Sequence, residues 1–235
     1  MKKLLMVMVA ALLLIPMSVH ATSSEDPLIE KILPLYPEVS KAELLEEISQ
    51  AAKILNQSEK EVAEQIYHEL KEHEQAQNIG ILSKGGGTTY PLDPSSKGNI
   101  YFEPAGTFGI QHGHTGLYYS TSTLVESVPD DGVRSVALVN KKVDAGARIL
   151  AVKSEYATTT DKNNAANWAY SRVGKDAYSY NFATNRLTSC IGDKNCSKLV
   201  WCAYNSVVDL DKDGGLGVYP TDIRDSNKVS TLKTY

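Results

Sequence analysis

Two segments far apart in the chain hold the side chains best suited to chemistry. The first is Gln111-His112-Gly113-His114-Thr115-Gly116-Leu117-Tyr118. A histidine opening a β run is held rigidly and can turn its ring toward a cleft. The second is Asp193-Lys194-Asn195-Cys196-Ser197-Lys198-Leu199-Val200-Trp201. Here a cysteine stands where a turn becomes a helix. The unpaired N–H groups and the positive end of the helix dipole favour a thiolate there. An imidazole brought beside it would complete a nucleophile–base pair. Each residue alone has a simpler reading, a structural cysteine or a solvated histidine. His112 also competes with His114, because residues two apart in a strand share a face.

The elements that must position these residues fall into distinct regions. Residues 25–78 read as acidic helices. Ser40-Lys41-Ala42-Glu43 and Ser58-Glu59-Lys60-Glu61 are capping-box signatures, in which the serine hydroxyl and the glutamate satisfy free backbone N–H groups. Leu44, Leu45, Ile48, Ala52 and Leu55 recur at helical spacing, as do Val62, Ile66, Tyr67 and Leu70. Asn56-Gln57 separates the two runs. The region carries 13 acidic and 5 basic residues, a net charge of −8, against +2 for residues 79–235. Between these parts, Ser83–Thr89 with its three consecutive glycines, followed by Pro91, Pro94 and Gly98, reads as a linker over 83–97.

From Gly98 the pattern turns to short β-prone runs: Asn99–Glu103, Thr115–Tyr119, Thr123–Val128, Val133–Val139 and Arg148–Ser154. Helices are expected over Asn164–Val173 and Ser197–Val208. The fold class is therefore α+β, with a catalytic domain over 98–235 preceded by an acidic helical segment over 22–82.

Residues 1–21 read as a signal peptide: Lys2 and Lys3, an apolar run from Leu4 to Met17, and Val19-His20-Ala21 at the cleavage site. The run is short for a membrane span, so no stable membrane insertion is expected after cleavage; the alternative is an uncleaved N-terminal anchor. The destination is secreted or periplasmic, in the cell envelope, where disulfides are allowed. The overall balance of 24 basic to 28 acidic residues argues against a nucleic-acid partner. The 42% hydrophobic content argues against a disordered chain.

The run from Gly98 resembles the permuted papain-fold cysteine hydrolases of the YiiX and YycO type, relatives of the NlpC-type cell-wall peptidases. Gly98-Asn99-Ile100-Tyr101-Phe102 is similar to the opening strand of that family, and His114-Thr115-Gly116-Leu117-Tyr118 matches its H-x-G-[IVL]-Y strand. Gly174-Lys175-Asp176-Ala177-Tyr178 resembles the G-x-x-Y segment, with one extra residue before the tyrosine. Asn195–Val200 matches the C-S-x-L-V helix start, and Asp209-Leu210-Asp211 with Pro220–Ile223 resembles the closing segment. Histidine before cysteine is the permuted order. The resemblance spans 98 to about 226 and leaves out the helical region.

The resemblance implies Cys196 as nucleophile, His114 as general base and then acid, and a third polar residue that orients the imidazole. Glu126 is the candidate for that role. If the strands flanking Ser120 form a hairpin centred on it, His114 lies directly opposite Glu126, and paired residues share a face. The simpler alternative is a solvated hairpin charge. The backbone N–H of Cys196 and the hydroxyl of Tyr178 are the candidate oxyanion donors. Tyr180 competes with Tyr178, and both also read as core aromatics.

Asp209-Leu210-Asp211-Lys212-Asp213-Gly214 reads as the start of a calcium loop, but its twelfth position is Pro220 rather than a bidentate glutamate. No cofactor and no metal are expected. Three cysteines in an oxidising compartment leave one unpaired. If Cys196 must stay free, Cys190 and Cys202 are the remaining pair. The alternative is three reduced cysteines. The expected activity is cleavage of an amide, foremost in peptidoglycan stem peptides, through a Cys–His dyad or Cys–His–Glu triad. Acyl transfer or hydrolysis on lipid amides or esters, and a non-catalytic binding module, are the alternatives. The helical segment is expected to be a detachable pro-segment or a permanently docked accessory.

Overall fold

The computed structural model describes residues 26–80, 89–105 and 113–235, with 75–80 as backbone only. The expected signal peptide, the triple glycine and His112 lie outside the described residues.

The helical segment comprises α1 (Pro27–Ile32), α2 (Lys41–Leu55) and α3 (Glu59–Gly80). Both expected capping boxes form. Ser40 Oγ accepts from the Glu43 N–H while the Glu43 carboxylate accepts from the Ser40 N–H, and Ser58 and Glu61 do the same. Asn56 ends α2 in the left-handed region at φ 54°, a conformation asparagine tolerates better than most residues. Among the described residues, no helix is long and apolar enough to cross a membrane.

The rest is an α+β unit with antiparallel sheets. It contains β1 (Thr89–Pro91), β2 (Ile100–Glu103), β3 (His114–Ser120), β4 (Thr123–Val128), β5 (Gly132–Ala137), β6 (Lys142–Asp144), β7 (Arg148–Val152), α4 (Thr159–Ser171), α5 (Cys196–Tyr204), α6 (Pro220–Asp225) and β8 (Val229–Thr234). The main sheet has the order β5-β4-β3-β2-β7-β8, and β1 pairs with β6 in a separate ribbon. Thr89–Pro91, expected within the linker, is therefore a strand. Proline is tolerated there because this is a short two-stranded ribbon with free edges.

The strand pattern alternates. Ile100, Phe102, Leu117, Val125 and Leu150 join α4 and α5 in one core, while Tyr101, Tyr118, Leu124 and Ile149 join Leu92, Val143 and Ala147 on the other face. Helix α4 begins earlier than its apolar pattern suggests, because Thr158 and Asp161 form a capping box in a polar stretch. Helix α5 stops at Tyr204, short of the expected Val208.

A third core joins the helical segment to the α+β unit. Ile32, Tyr36, Ile48 and Ile66 pack with Phe182, Ala183, Cys196, Leu216 and Tyr219. Polar clamps reinforce this contact. The buried Tyr36 hydroxyl accepts from the Phe182 N–H at 2.7 Å and donates to the Tyr180 carbonyl at 3.0 Å. The Glu69 carboxylate accepts from the N–H groups of Leu216 and Gly217 at 2.8 and 3.2 Å.

Candidate active site

Cys196 is the first residue of α5, and Asn195 is its N-cap, accepting from the Lys198 N–H through its side chain at 2.9 Å. That bond satisfies one of the free amides of the first turn. The Cys196 N–H belongs to the same turn and has no partner within the helix. The approach to Cys196 is pinned by buried polar groups that the sequence reading did not single out. Asn195 Nδ2 donates to the Asn181 carbonyl at 2.7 Å, and Ser197 Oγ donates to the Val218 carbonyl at 2.7 Å. Asn185 bonds both the carbonyl and the N–H of Val218, at 3.0 and 2.7 Å. Lys194 is buried and ion-paired with Asp176, which also holds Arg172. Lys198 is buried one turn into the helix, where desolvation and then the charges of Lys194 and Arg186 bring its ammonium down to about 8. Its Nζ donates to the carbonyls of Asn185 and Thr188.

His114 opens β3 at the end of the sheet; its ring hydrogen-bonds Glu126 and lies close enough to Cys196 for the sulfur to act on its charge. The Nε2 atom lies 2.9 Å from Glu126 Oε2, which leaves Nδ1 for the sulfur. The expected hairpin register is corrected by two residues. Gly116, not His114, stands opposite Glu126, because the chain bulges between Tyr118 and Ser120 and turns through Thr121 and Ser122. A shift of two keeps every side chain on its face, so Glu126 still reaches His114 diagonally. The directly opposed residue of His114 is Glu103 of β2.

Gly116 makes this diagonal reach possible. Tyr101, Gly116 and Glu126 lie in one row across three strands. A Cβ on Gly116 would meet Tyr101 Cε1 at 2.6 Å and the Val125 carbonyl oxygen at 2.7 Å. Without it, the Tyr101 hydroxyl donates to Glu126 Oε2 over the glycine. Arg134 donates to Glu126 Oε1 through Nε and Nη2 at 2.9 and 2.7 Å. Lys141 lies 3.3 Å from Oε2 and 2.6 Å from Glu103. Tyr101, Arg134 and Lys141 were missed by sequence reasoning. Two signals were available: a glycine inside a strand, which marks a close approach, and the hairpin pairing of Arg134 with Glu126.

The electrostatics follow from burial and pairing. The Glu126 side chain is 1% exposed. Desolvation works against its charge, but His114, Lys141 and Tyr101 outweigh that and hold the carboxyl well below the usual carboxylate range. Burial also opposes protonation of His114, yet the Cys196 sulfur and Glu126 reverse the balance and push the imidazole up to about 9. The arrangement favours an imidazolium between a sulfur and a carboxylate.

A cleft of about 280 Å³ is lined by Cys196 and His114 together with Tyr178, Tyr180, Phe182, Glu103, Arg134 and Lys141, and by Glu38 from the helical segment. Tyr178 is half-buried, and desolvation followed by the nearby Cys196 raises its hydroxyl pKa. Tyr180 is more exposed and meets the Tyr178 ring edge-on at 5.0 Å. Cys190 and Cys202 are joined in a disulfide with Cα atoms 5.6 Å apart, and Cys196 is free. In the aspartate-rich turn, Asp209 is taken up by Arg186 at 2.6 Å and by Trp201 Nε1 at 2.9 Å.

No family model matches the chain. Over 213 residues it is 38% identical to YycO, an uncharacterized protein of Bacillus subtilis (strain 168), covering 87% of this chain and 85% of that protein. The chain belongs to the YycO-like family. The match covers so much of this family member that it must include most of the helical segment as well as the α+β unit. A solved structure, the metalloprotein YiiX of Escherichia coli O157:H7, aligns with 61% of this chain and 99% of its own at 17% identity and a TM-score of 0.44.

Proposed function

We propose that this protein is a secreted cysteine hydrolase with a permuted papain-like catalytic unit, cleaving an amide bond in peptidoglycan stem peptides of the cell envelope. The observation that carries this reading is the convergence of Cys196, His114 and Glu126 on one cleft, where the imidazole lies near the sulfur and hydrogen-bonds a buried, cation-supported carboxylate. Such an array has the parts of a nucleophile, a base and an orienting group.

In this mechanism the Cys196 thiolate attacks the scissile carbonyl carbon while the His114 imidazolium stands ready with the proton. The carbonyl π electrons move to oxygen. The resulting oxyanion is met by the Cys196 N–H and the Tyr178 hydroxyl. Collapse of the intermediate expels the amine, which takes the proton from His114, and leaves a thioester on Cys196. His114, now neutral, takes a proton from water as the water attacks the thioester. Release of the carboxylic acid restores the thiolate and imidazolium. Glu126 keeps the ring oriented and stabilises its positive form throughout.

Incubation with purified peptidoglycan and, separately, with lipid amides, followed by mass analysis of the products, tests the proposal. New amine and carboxylate ends in stem peptides, absent with Cys196→Ala and with His114→Ala, support it. Products from the lipid amides alone would move the substrate class. Turnover surviving in folded Cys196→Ala would remove the mechanism.

A further inference from the structure

A second cluster of chemistry-bearing side chains lies where the helical segment meets the α+β unit, and the proposed hydrolysis does not use it. His73 of α3, Asp213 of the aspartate-rich turn and Asp222 of α6 each present one donor atom, and these atoms all lie within 4.8 Å of one another. We propose that His73, Asp213 and Asp222 bind one divalent transition-metal ion, of the kind Zn²⁺ represents, and that the ion clamps α3 onto the α+β unit.

The geometry fits an ion better than it fits a bare ion pair. His73 Nε2 and Asp222 Oδ2 are 3.7 Å apart, too far for a hydrogen bond. Donors held about 2.0–2.2 Å from a zinc ion in a tetrahedral site stand about 3.4 Å from one another. Asp213 is exposed, and its donor lies within 4.8 Å of the other two. The imidazole is already oriented for this role. Its Nδ1 lies 3.3 Å from Thr221 Oγ1 and its ring packs at a 37° tilt against Tyr219 with centroids 3.9 Å apart. Support of this kind at the second ring nitrogen is what metal-binding histidines use.

The Asp222 side chain is 4% exposed, and among the described residues its one ion-pair partner is His73. The carboxylate also accepts from the Tyr219 N–H at 2.8 Å and feels the charge of Lys212; a bound cation completes the balance for a charge held this deep. One nitrogen and two carboxylate donors, with water filling the remaining positions, suit Zn²⁺ or Mn²⁺. They do not suit Ca²⁺, which needs six to eight oxygens. The calcium-like motif contributes only Asp213, since Asp209 and Asp211 turn toward Arg186. The consequence reaches the cleft through packing, because Tyr219 also stacks on the cleft residue Phe182 at 5.8 Å.

Zn²⁺ binding is measured by calorimetry on the full chain carrying Cys196→Ala, which removes the one free thiol as a competing ligand. The reading does not depend on hydrolysis. One equivalent bound, a higher melting temperature with Zn²⁺, and no competition from Ca²⁺ are expected. Asp213→Asn, at an exposed position, and His73→Gln should each weaken binding by at least about tenfold. No binding at roughly a tenfold molar excess, or undiminished binding in Asp213→Asn, overturns the proposal. If His73→Gln does not fold, the Asp213→Asn result alone decides.

Discussion

Replacing Glu126 by glutamine isolates the group on which the charge of His114 depends. The substitution keeps the shape of the side chain and removes its charge. The bond from His114 Nε2 to Glu126 Oε2 is 2.9 Å long and the carboxylate is buried. Hydrogen bonds to a charged partner contribute about 1.5–3 kcal/mol. At about 1.4 kcal/mol per pH unit, their loss lowers the imidazole by roughly one to two units. The uncompensated Arg134 and Lys141 act in the same direction. His114 should therefore fall from about 9 to roughly 7–8.

Stability follows with a definite sign. The folded value lies above the ~6.5 of an unfolded histidine. The contribution of His114 is thus complete below about 6.5 and is lost as pH rises through about 9. The wild-type melting temperature should decline across that window, and the Glu126→Gln decline should end one to two units earlier. Long-range ¹H–¹⁵N spectra of the histidine rings follow the titration directly, with thermal melts as the second readout. A His114 midpoint unchanged or raised in folded Glu126→Gln would refute the coupling and with it the orienting role.

Three further perturbations test the rest of the site. Gly116→Ala places a methyl at 2.6 Å from Tyr101 Cε1 and 2.7 Å from a backbone oxygen; a loss of about 1–3 kcal/mol in urea denaturation is expected, with activity falling further than the melting temperature alone explains, and a neutral variant would remove the spatial argument for this glycine. Cys190→Ser with Cys202→Ser opens a bridge between residues 12 apart, which should lower stability by about 3 kcal/mol; an unchanged urea midpoint would show that the bridge adds nothing. Deleting residues 22–83 exposes Phe182, Leu216 and Tyr219 and strips the Tyr36 and Glu69 clamps. The shortened chain should therefore melt lower and lose activity, whereas a stable and more active product would favour the pro-segment reading over the docked accessory.

What the sequence determined by itself was local. Capping boxes, the break at Asn56-Gln57 and the alternating runs are encoded within a few residues, because each depends on side chains bonding their own backbone or on period. The placement of Cys196 at a helix start and of His114 at a strand start was legible for the same reason, whereas their proposed roles came from the family resemblance. Glu126 was reached through a hairpin register that was off by two. The face survived because strand side chains repeat every two residues, so the error cost nothing in the residue named. Parity of that kind protects a prediction only within one hairpin.

Long-range relations were decided by the tertiary structure alone. Tyr101, Arg134 and Lys141 converge on one carboxylate from separate parts of the sheet and its flanking loops. Arg134 faces Glu126 across the β4–β5 hairpin and is within reach of a register argument, but no spacing in the chain records the approach of Tyr101 and Lys141. The strand at Thr89–Pro91 exists because Lys142–Asp144 lies beside it, and its own residues read as punctuation. The acidic helices looked separable because charge and composition change at the triple glycine. Packing overrides that contrast, as Tyr36 and Glu69 bond backbone amides more than a hundred residues away. Composition measures the solvent-facing side of a helix, whereas docking is set by the few buried residues on the other side.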